Sequence, residues 1–111
     1  MTVAAEVEAL LAGGGEADDL LRDAVGLLHE RLGRLVRISF VEGDGLVPGP
    51  TAGEGDPTTA FPISFAGRWV ADLEVAGELS ADEHAELERA AAALAPYALV
   101  GWDTGGEAWT P

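Results

Sequence analysis

The 111-residue chain has no cysteine and no lysine, and it holds no apolar run long enough to cross a bilayer. Without cysteine there is no disulfide, no thiol nucleophile and no cysteine-based zinc or iron–sulfur site. The longest apolar stretch, Ala90 to Ala95, is far short of a membrane span. The N-terminus, MTVAAEVEALLAGGGEADD, lacks a positive flank, so neither a signal peptide nor a membrane anchor is expected, and a cytoplasmic location is the default. Positive charge is scarce as well. Six arginines face twenty acids for a net charge of -14, so phosphate backbones and anionic bilayers are repelled, and neither nucleic acid nor membrane is expected as a partner. A partner with a basic surface and a plain acidic protein surface both remain open readings of that charge.

What is present suits one domain. At 48% apolar composition the chain can bury a core without help from a metal. The stretch Phe61 to Leu94 carries the clearest signals. Phe61, Ile63 and Phe65 share one parity, as do Trp69, Ala71, Leu73 and Val75, which predicts two half-buried strands joined at Ala66-Gly67. Ser80 and Glu83 form a capping box, and Leu87, Ala91 and Leu94 come after it at helical spacing. Pro96 and Gly101 are expected to end that helix.

Upstream, Val3, Val7 and Leu10 mark a short first helix, with Gly13-Gly14-Gly15 as a joint. Leu21, Val25, Leu28 and Leu32 repeat at intervals of four, three and four, the best amphipathic helix in the chain, and Gly33 is its natural left-handed terminator. Val36, Ile38 and Phe40 alternate with Arg37 and Ser39 in a first strand. After Glu42-Gly43-Asp44-Gly45 the chain returns through a short Leu46-Val47 strand. Pro48 to Pro57 has loop composition throughout. Pro62 cannot donate to a ladder, which places its strand at an edge or turns its amide position away from a neighbour.

No constellation of residues carries chemistry. Glu42 to Gly45 is only a fragment of a calcium loop. His29 lacks the second histidine of a zinc helix motif, His84 lies among carboxylates, and Ser39 and Ser64 have no nucleophile elbow. Asp103-Thr104-Gly105 matches the aspartic-protease tripeptide without the framework around it. No catalytic residue, no metal ligand and no cofactor is expected. Arg37, Ser39, Ser64, Asp72 and Glu74 share the sheet face opposite the large apolar residues, a solvated face or the floor of a ligand or docking site, with Arg37 and Asp72 close enough for a cross-strand ion pair. Two of three tryptophans, Trp102 and Trp109, lie in the last ten residues and are expected to dock on this chain or another.

The segments Gly26-Leu27-Leu28-His29-Glu30-Arg31-Leu32, Val41 to Pro50, Phe61-Pro62-Ile63, Ala71-Asp72-Leu73-Glu74 and Leu79 to Glu83 resemble the GAF family, in particular its free methionine sulfoxide reductase type. The resemblance implies a PAS-like α+β domain over residues 1–111: a helix and joint at 1–15, a core at 16–96 and a tail at 97–111. It also implies a four-stranded antiparallel sheet in the order second, first, fourth, third, with helices packed on one face. That family places a long cysteine-bearing segment over its pocket, where this chain has about ten residues and no cysteine. Reductase activity is therefore not implied. The resemblance without that segment implies a regulatory or signalling module acting by self-association or by docking a protein partner. The alternative is a small-molecule sensor whose pocket on the sheet face is completed by the tail or a second chain.

Overall fold

The alternating and helical periods form a four-stranded sheet and three helices. The computed structural model describes residues 2–103, the last five as backbone only. Helix α1 (Val3–Ala12) is capped by the Thr2 hydroxyl, which accepts from Ala5 N–H. Helix α2 (Ala17–Leu32) ends at Gly33, whose φ of 66° is the left-handed stop that glycine adopts without strain. Four strands come next, β1 (Val36–Glu42), β2 (Gly45–Ala52), β3 (Thr59–Phe65) and β4 (Arg68–Val75), and then α3 (Ala81–Asp103). The capping box before α3 is reciprocal: Ser80 N–H donates to Glu83 Oε1, and Glu83 N–H to Ser80 Oγ.

The sheet is antiparallel in the order β2-β1-β4-β3, which puts both proline-bearing strands at the edges. Pro62 lies in β3, and Pro48 and Pro50 lie in β2. A missing donor at an edge costs the sheet little and spoils the template for strand addition. One core joins all three helices to one face of the sheet. Val36, Ile38, Phe40, Phe61, Ile63, Ala71, Leu73 and Val75 meet Leu21, Val25, Leu28, Leu87 and Leu94, and α1 adds Val7 and Leu11. Two bidentate pairs tie α1 to its neighbours, Arg31 with Glu6 and Arg89 with Glu8. These pairs lie in solvent, so they orient α1 while burial of Ala4, Val7 and Leu11 holds it.

Four expectations need correction. Strand β2 runs on through Pro48 to Ala52, leaving only residues 53–58 as connection. A register shift between Arg37 and Ser39 absorbs one extra residue of β2, and Gly49 lets the chain pass the Phe40 ring, since a Cβ there would also stand 2.8 Å from the Ile38 carbonyl oxygen. Helix α3 does not stop at Pro96 but continues to Asp103, with Ala98 fully buried, so the expected tail boundary at 97 falls inside a helix. Pro96 and Ala92, whose carbonyl loses its partner, are both exposed, and water can satisfy that oxygen. Phe65 is not in the core; at the hairpin end it is 37% exposed.

The fourth correction concerns β4. Its register with β3 shifts between Ile63 and Ser64, so that Ile63 faces Ala71 while Ser64 faces Trp69. Val70 is the extra residue, and it turns into the core at 1% exposure. Trp69 thereby changes side. Read by simple alternation it belongs with Ala71 and Leu73; beyond the bulge it stands with Ser64 on the opposite face, 48% exposed.

Candidate functional site

The face opposite the helices is built in three cross-strand rows set by register. Thr51, Arg37, Glu74 and Ala60 form one row, and Pro48, Ser39, Asp72 and Pro62 the next. Leu46, Val41, Trp69 and Ser64 lie at the end where both hairpin tips meet. Thr51, Pro48, Leu46, Ala60, Pro62 and Ser64 are exposed.

Two of the polar side chains on this face are nevertheless buried, Ser39 at 1% and Asp72 at 8% exposure. Small side chains on the two central strands are walled in by longer neighbours, so each needs a hydrogen-bond partner. Arg37 Nε donates to Glu74 Oε1 at 2.9 Å, and the Ser39 hydroxyl donates to the same oxygen. The expected pair of Arg37 with Asp72 does not form, because Glu74 is directly opposite Arg37 in the register and Asp72 lies opposite Ser39. Asp72 instead accepts from the indole Nε1 of Trp69 at 2.8 Å. Burial and, secondarily, the Glu74 charge push its carboxyl above the usual aspartate range, while the indole bond pulls it back.

Four of the five residues read from the sequence therefore sit together, Arg37, Ser39, Asp72 and Glu74. Ser64 shares the face but stands on the edge strand. The member that pattern reading misses is Trp69, because a one-residue bulge inverts its side. Trp102 lies on the backbone of α3 with its side chain outside the described residues, and Trp109 lies outside them altogether.

The histidines are engaged elsewhere. His29 Nδ1 lies 2.7 Å from the Arg34 carbonyl oxygen, and His84 pairs with Glu88 and stacks edge-on against Phe61 with ring centroids 4.7 Å apart. Among the described residues no group of three or more His, Asp or Glu is placed to hold a metal ion. No helix among them is long and apolar enough to cross a membrane. Among the described residues, hollows of about 560, 220 and 310 Å³ lie beside the helices, and Arg37, Ser39, Ser64, Asp72 and Glu74 do not line these. In comparisons with known proteins, no family model, no curated protein and no solved structure matches the chain.

Proposed function

We propose that this chain is a non-catalytic regulatory module of GAF-like build that works by docking another protein surface on the second face of its sheet. The observation that carries the reading is the arrangement of that face. A hydrogen-bonded polar centre of Arg37, Glu74, Ser39, Asp72 and Trp69 adjoins exposed apolar side chains, Leu46 at 37% and Trp69 at 48%. Buried polar groups fix position and register, and exposed aromatic and aliphatic groups supply the area that association covers.

Catalysis finds no support in the same residues. The Ser39 hydroxyl is inaccessible and bonded to Glu74, and Glu74 is held by Arg37, so neither of these two is free to act as nucleophile or base. The six-residue 53–58 connection also favours a broad partner over an enclosed small molecule.

The test is association measured with and without the face. Sedimentation of the purified chain over a range of concentrations, alone and with proteins recovered on it as bait, is compared with the Leu46→Ser and Trp69→Ala variants. Association weakened by both changes in a folded chain supports the reading. Association that both leave untouched, or none at all, overturns it.

A further inference from the structure

The charges on the second face do not balance. Arg37 is taken by Glu74, and Asp72 has only the neutral indole of Trp69 as its hydrogen-bond partner, with no ion pair to it among the described residues. The face thus carries one carboxylate more than its cations answer. Covering that carboxylate with an apolar surface leaves a buried charge unanswered, whereas covering it with a cation recovers much of the loss.

We infer that the docking partner is a protein segment that lays an arginine or lysine side chain on Trp69 beside Asp72, between apolar side chains that rest on Leu46 and Trp69. The inference rests on the docking function proposed above and names the chemistry of the partner. A half-exposed indole next to an acid offers a cation both a ring face and a counter-charge. Burial raises the Asp72 carboxyl and the Glu74 charge adds to it, and no cation among the described residues lowers it.

A second copy of the chain is a poor source of that cation. It has no lysine; of its six arginines, Arg22, Arg31, Arg34, Arg37 and Arg89 each pair with an acid of their own, and Arg68 is engaged as well. Two copies meeting face to face would also bring together two unanswered Asp72 carboxylates on chains of net charge -14 each. Strand addition is disfavoured at both edges by Pro48, Pro50 and Pro62. The remaining geometry is side-chain docking on the face itself, by a partner richer in basic residues than this chain.

The experiment is an NMR titration of the isotope-labelled chain with two blocked tripeptides at millimolar concentration, Leu-Arg-Leu and Leu-citrulline-Leu. Citrulline keeps the shape of arginine and removes its charge. The expected result is a shift of the Trp69 indole N–H and neighbouring amides with the arginine peptide. Affinity should fall roughly tenfold or more with citrulline or with Asp72→Asn, a factor that corresponds to losing one buried charge pair. Asparagine keeps the acceptor for Trp69, and an unchanged amide spectrum outside the face shows that the variant is folded. Equal binding of the two peptides at Trp69 overturns the cation inference and leaves the docking reading standing. Arginine-peptide shifts confined to the acidic helices, or absent, also overturn it. Self-association lost in Trp69→Ala replaces the basic partner with a second copy, and the absence of any association at Trp69 ends both readings.

Discussion

The two faces of the sheet come from the same alternating strands and solve opposite problems. On the helix side Val36, Ile38, Phe40, Leu73 and Val75 are 2% exposed or less and belong to one apolar cluster. On the other side the buried residues Ser39 and Asp72 are polar, and each is held by a side-chain hydrogen bond. A face that only had to meet water would gain nothing from burying a carboxylate. The difference places the apolar burial that holds the fold on one side, and the other is the side that the proposed docking would use.

Substitutions can break that contrast. Phe40→Ala on the helix side should cost about 3–5 kcal/mol, enough to unfold a marginal domain, and urea denaturation measures it. Asp72→Asn on the second face should act in the opposite sense. Because the folded-state carboxyl is raised, its ionised form opposes folding above that value, so the variant should be more stable than the parent at neutral pH. The gain should vanish below the unfolded-state value, where both states carry the proton, and melts at a series of pH values would show it. Ala66 takes a φ of 53° in the hairpin turn, a conformation that favours asparagine or glycine. Ala66→Asn should then add about 0.5–1 kcal/mol without touching either face. The smallest effect is expected for exposed Ser64→Ala, within about 0.5 kcal/mol in the same denaturation assay. A loss there as large as at Phe40 would erase the distinction between the faces.

Much of this layout is legible in the sequence. The four-three spacing of Leu21, Val25, Leu28 and Leu32, the Ser80 and Glu83 box and the alternation of β1 report directly on burial and capping, local quantities that pattern reading captures. The strand order comes from the family resemblance rather than from any period in the residues, and the sheet has that order. The features that escape pattern reading are set by tertiary context. Pro96 is tolerated in α3 because its side of the helix meets water, and the proline-rich half of β2 pairs as a strand because it lies at an edge. Trp69 escapes for a subtler reason. Alternation has no memory of a bulge, and one added residue at Val70 carries the tryptophan from the side of Ala71 and Leu73 to the face where it holds Asp72.

The proton affinity of the Asp72 carboxyl reports its surroundings on the second face, burial first and then the indole bond and the charge of Glu74. Following the side-chain carboxyl carbon of Asp72 by NMR across the acidic pH range, in the isolated chain, should give a midpoint above the ordinary aspartate value of about 3.9. A midpoint at or below that value would mean that a cation of the chain itself already answers the carboxylate, and the second face would have no charge left for a partner to complete.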